Sequence, residues 1–120
     1  MKPGSPVVLR YRDGSTRRAT LVNADIDHEV VHIDENGSAS QVPFGSLKAV
    51  FFPTGDPDQK PDPADGSQLA VEFADGEIIR GVAQYNPERN GFFLYPHDRS
   101  KNDRIFVVNS AISSIEVEKL

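Results

Sequence analysis

Two stretches of this chain repeat each other. VVLRYRDGSTRRATLV, from Val7, aligns with LAVEFADGEIIRGVAQ, from Leu69, at an offset of 62. Asp13-Gly14 falls on Asp75-Gly76, Tyr11 on Phe73 and Ala19 on Gly81. The same offset carries Val30-Val31 onto Phe92-Phe93, and after three more residues VPFGSLKAV (42–50) matches VVNSAISSI (107–115). Such a chain is expected to fold as two copies of one small unit, since a solenoid needs three or more. Between the copies, PTGDPDQKPDPADGS (53–67) holds four prolines and no large apolar residue. That composition suits neither helix nor strand interior and reads as a semi-extended linker. The expected domains are therefore 1–52 and 68–120, joined by 53–67. Units of about 50 residues are marginal alone and gain by packing on each other.

Each half reads as short strands. Val7, Leu9 and Tyr11 alternate with Val8, Arg10 and Arg12, and Leu69, Val71 and Phe73 alternate with Ala70, Glu72 and Ala74. This is the period of a half-buried strand. Asp13-Gly14 and Asp75-Gly76 mark hairpins, because Asp-Gly tolerates the positive φ of tight turns. Further strands are expected near 16–23, 28–34, 39–43 and 47–52, and near 77–85, 91–96, 104–108 and 112–118. The segments 43–46 and 109–111 suit one 3₁₀ turn each, before the fifth strand. The expected fold class is all-β: two tandem five-stranded SH3-like barrels, each closed around its own interior.

In this strand order and spacing each half resembles the SH3-like barrels, including the Sm-like variety. Asp27-His28-Glu29-Val30-Val31-His32-Ile33-Asp34 is similar in pattern to an Sm third strand, and Gly81 to the glycine at which the Sm second strand bends. Residues 69–115 also resemble small bacterial domains of unknown function that accompany regulatory proteins. That second resemblance brings no activity with it.

Charge narrows the function classes. Lysine and arginine total 13 against 18 acidic residues, a formal charge of −5. Neither half is basic, which disfavours nonspecific nucleic-acid binding. The absence of cysteine removes disulfides, thiolate metal sites and cysteine nucleophiles. The start, Met1-Lys2-Pro3-Gly4-Ser5-Pro6, lacks a signal-peptide core, and no apolar run reaches the ~18 residues that span a bilayer. A cytoplasmic location without membrane contact is expected.

No nucleophile motif or Gly-rich phosphate loop is present, so no enzyme activity and no cofactor are expected. His28 and His32 would lie ~13 Å apart along one strand face, too far to share an ion. The acidic residues Asp25, Asp27, Glu29, Asp34 and Glu35 lack calcium-loop spacing. No metal site is expected. If the core faces of the halves match at the offset of 62, Val31 and Ile33 correspond to Phe93 and Tyr95, and Phe92 and Leu94 point outward. Phe51-Phe52 is a similar pair, one of which must face away from its own core. Such strands need cover on both faces, from the other half or from a second molecule. The expected function is a noncatalytic protein-interaction module, binding a protein partner or itself through Phe51, Tyr85, Phe92 and Leu94. The alternative is RNA or nucleotide binding through Tyr85, Arg89, Arg99 and Lys101.

Overall fold

The computed structural model describes residues 5–53, 66–85, 88–97 and 102–118. Every element expected from the sequence forms within a few residues of its expected ends. The first half holds β1 (Ser5–Tyr11), β2 (Thr16–Asp25), β3 (Val30–Glu35), β4 (Ser38–Pro43) and β5 (Leu47–Pro53). The second holds β6 (Ser67–Phe73), β7 (Ile78–Ala83), β8 (Gly91–Pro96), β9 (Asn102–Val108) and β10 (Ile112–Glu118). A 3₁₀ turn, Phe44–Ser46 or Asn109–Ala111, precedes each fifth strand. Gly14 and Gly76 take φ of +93° and +92°, as the Asp-Gly hairpins require. Most of the linker, 54–65, lies outside the described residues.

The ten strands form one antiparallel open sheet, ordered β10-β6-β7-β8-β9-β5-β1-β2-β3-β4. The expected all-β class is found, with both halves sharing one sheet. The halves are joined edge to edge by a β5–β9 ladder running from Ala49 opposite Val107 to Phe52 opposite Arg104. Composition explains the joint. In β5, residues 47–52 are all buried, and so are residues 105–108 of β9. Strands apolar on both faces must be covered on both, and each half supplies that cover to the other. One core cluster runs through both halves.

Pairing within the halves recurs closely. Val7 faces Ala19 as Leu69 faces Gly81. A register shift follows Arg10 in the β1–β5 ladder, where Tyr11 faces Leu47, and the β6–β10 ladder shifts beside Ile112, which faces Phe73. The Arg12 amide donates to the Ser46 carbonyl and the Ala74 amide to the Ala111 carbonyl.

At the third strand the offset changes. Val31 pairs with Val42, and Phe92, not Phe93, pairs with Val107. The true offset there is 61, because the chain between the paired residues Ala83 and Leu94 is one residue shorter than that between Leu21 and Ile33. A slip of one residue exchanges the two faces of a strand. Phe92 and Leu94 are accordingly 6% and 0% exposed, in the places of Val31 and Ile33. The expectation that they point outward is overturned, and Phe93 and Tyr95 lie on the other face. Phe93 is covered inside the chain: its ring centroid is 5.9 Å from Phe52 and 5.3 Å from Phe106, which lies 5.6 Å from Phe44. In this file of four rings two from the second half, Phe106 and Phe93, lie between two from the first, Phe44 and Phe52, and stitch the halves together. Arg104 caps it, with its guanidinium carbon 4.3 Å from the Phe52 centroid and 4.8 Å from that of Phe93.

Candidate functional site

A groove of about 640 Å³ lies where β1 and β5 of the first half meet β7, β8 and β9 of the second. Val8, Phe51, Ile79 and Ile105 make its apolar part, with Ile78 beside them, 49% exposed. Arg10, Arg80 and His97 set basic side chains at its margin, and among the described residues Glu77 is the carboxylate lining it. Arg10 is held from both sides: its guanidinium carbon lies 4.8 Å from the Phe51 ring centroid, and Nη1 donates to Glu77 Oε1 at 3.3 Å. The β7–β8 ladder covers only Gly81–Ala83. Among the described residues, no strand pairs with Ile78 or Ile79 on the groove side.

Behind this wall, an ion cluster fixes the β6–β7 hairpin to the first half. The Lys48 side chain is 6% exposed, and its ammonium donates to Asp75 Oδ2 at 2.7 Å and to Glu77 Oε1. It also stands 4.8 Å from the Phe73 ring centroid. The hairpin positions its own carboxylate, since the Glu77 amide donates to Asp75 Oδ1 at 3.0 Å. On the opposite hairpin, Arg12 donates to the carbonyls of Leu47 and Phe44 and to Ser110 Oγ of the second half. A buried ammonium needs its counter-charges, so these contacts set the angle of the hairpin as well as its stability.

The hydrogen bond from Lys48, more than any other contact, holds the Asp75 carboxyl below its ordinary value of 3.8. A depressed folded-state pKa contributes stability above the unfolded value, and that stability is lost as pH falls through the folded value. Asp75→Asn should therefore lower Tm at neutral pH and flatten the fall of Tm below about pH 4. Thermal melts followed by circular dichroism across that range check this. An acid limb as steep as the parent's would mean that Lys48 does not act through Asp75.

The structure brings Tyr85, Arg89 and Phe92 together and sets Phe51 and Leu94 apart from them. Phe51 lies in the groove. Tyr85, 37% exposed, packs edge-on to Phe92 at 5.2 Å. Phe92 and Arg89 line a second hollow of about 300 Å³ with Ile26. Leu94 is wholly inside the core. Arg99 and Lys101 lie outside the described residues. His28 sits in the turn before β3, with Nδ1 2.8 Å from Asp25 Oδ2, and not on a strand face with His32. Arg10, Ile78, Ile79 and His97 were not among the sequence candidates. A signal for two of them exists: the offset of 62 puts Ile78-Ile79 where the first half has Thr16-Arg17.

Among the described residues no helix is long and apolar enough to cross a membrane. No curated protein and no solved structure matches the chain significantly. One family model does match, and it spans residues 4–119, covering both halves and the segment between them; the chain belongs to that family, a family of unknown function designated DUF6982.

Proposed function

We propose that the chain is a noncatalytic protein-interaction module: two equivalent SH3-like five-stranded units, 1–52 and 68–120, fused through β5 and β9, whose shared groove takes an extended segment of a partner protein. The observation that carries this is Ile78, a large apolar side chain left half exposed beside Phe51 and Ile79. An apolar floor supplies affinity once water is expelled, and a polar rim supplies orientation. The rim favours a segment in which an apolar residue is flanked by aspartate or glutamate, because Arg10 and His97 stand at it as basic side chains beside an apolar floor. The β7 backbone at Ile78-Ile79 offers main-chain hydrogen bonds to such a segment.

Selection from a displayed random-peptide library, followed by fluorescence anisotropy, tests the proposal. The selected peptides should share an apolar residue next to a carboxylate. Ile78→Asp should weaken them by about tenfold or more, a loss of ~1.4 kcal/mol. Affinity should change modestly with salt. An oligouridylate probe that bound more tightly than any peptide, with affinity falling steeply as salt rises, would favour the RNA reading instead. Peptides that bound the Ile78→Asp protein unchanged would show that the groove is not the site.

A further inference from the structure

The two outer edges of the sheet, β4 and β10, are the same two strand positions that join its halves. The β5–β9 joint pairs the fifth strand of one unit with the fourth strand of the other. β10 is the second unit's fifth strand and β4 is the first unit's fourth, and both end the sheet. We infer that β10 of one chain pairs with β4 of a second copy, repeating the internal joint between molecules. The inference rests on the equivalence of the two units and is independent of the groove and its peptide.

The internal ladder fixes the register. Val50 opposite Phe106 and Phe52 opposite Arg104 translate into Ile115 opposite Gln41 and Val117 opposite Ala39. Glu116 then faces Ser40. Two features of the edges fit this pairing. Val117 is 62% exposed, the most of any large apolar residue among the described ones, whereas its counterpart Phe52 is fully buried by the joint. In addition, β4 reads Ser-Ala-Ser-Gln-Val-Pro, with none of the charged side chains that usually guard a free edge. The internal joint covers Phe52 with Phe93, whose counterpart in the first unit is His32. In the paired copies Val117 would lie over the partner's His32 and Ala39. An interface between two different edges is head-to-tail, so it extends into a ring or a filament and does not stop at a symmetric dimer.

The absence of cysteine makes the test direct. Single variants Ser40→Cys and Glu116→Cys are mixed under mild oxidation, as are Ala39→Cys and Val117→Cys. Adjacent ladder pairs alternate in Cβ separation, so at least one combination should meet disulfide geometry. The expected result is a disulfide dimer in the mixture and little in either variant alone. Light scattering on the unmodified chain should show a mass above the monomer that rises with concentration. Val117→Lys, placed on an exposed side chain, should return it to the monomer. A monomeric mass at all concentrations would overturn the inference, as would self-linking of Ser40→Cys or Glu116→Cys as efficient as the mixture. Neither outcome would touch peptide binding in the groove.

Discussion

Phe106→Ala should cost about 3–5 kcal/mol and bring both halves down in one transition. That is a large share of the ~5–15 kcal/mol that holds a typical domain together. Phe106 is fully buried in β9, opposite Val50 of β5, between Phe44 of the first half and Phe93 of the second. Truncation opens a cavity at the point both halves use as their core, and neither can collapse to fill it without leaving the other. Urea unfolding followed by circular dichroism gives the size of the loss. Native-state hydrogen exchange gives its distribution: amides of Leu9 and Ile33 in the first half should lose protection by as much as those of Leu69 and Leu94 in the second. Protection that survived at Leu9 and Ile33 alone would mean that the first half folds on its own, and that the β5–β9 joint is a contact between domains and not the centre of one.

Local structure was legible because local chemistry determines it. The Asp-Gly hairpins, the two-residue alternation of β1 and β6 and the brief turns before β5 and β10 are all written in neighbouring residues. Two things were not. The first was the face of β8. The β2–β3 ladder shifts register between Leu21 and Asn23, and the second half spans the matching paired positions, Ala83 and Leu94, with one residue fewer. A one-residue difference of this kind leaves no mark in a single sequence, yet it decides that Phe92 and Leu94 face the core and that Phe93 meets Phe52. The second was the partner of β5. The run Leu47-Lys48-Ala49-Val50-Phe51-Phe52 announces cover on both faces without saying what provides it. The structure shows cover from β9, more than fifty residues along the chain. The groove follows from that joint. Its walls come from strands at opposite ends of the sequence, so it could not be read before the halves were placed, although Ile78-Ile79 in a position that is polar in the first half pointed to its floor.

The equivalence of the halves also predicts where they tolerate different side chains. Gly81→Val should destabilise the protein by about 3 kcal/mol, whereas Ala19→Val, at the matching place, should stay within about 1 kcal/mol. A Cβ on Gly81 would come within 2.8 Å of Pro96 Cα and of the Tyr95 carbonyl carbon, and closer still to the Tyr95 oxygen. These are backbone atoms of the paired strand, so no rotamer change relieves the clash and β8 must move away. The β2–β3 ladder, by contrast, begins at Thr20 opposite Asp34 and leaves Ala19 beyond its end, already carrying a Cβ. Among the described residues the β7–β8 ladder has three pairs, Gly81–Pro96, Val82–Tyr95 and Ala83–Leu94. Displacing its first pair should also shift His97, whose amide donates to the Arg80 carbonyl at 3.0 Å on the groove margin. Gly81→Ala, a smaller version of the same insult, should then weaken the selected peptides while leaving the protein folded. Urea midpoints for Gly81→Val and Ala19→Val, together with peptide affinity for Gly81→Ala, measure the two consequences separately. Equal midpoints for the two valine variants would mean that β8 does not approach Gly81 this closely, and the groove wall would have to stand farther out than described.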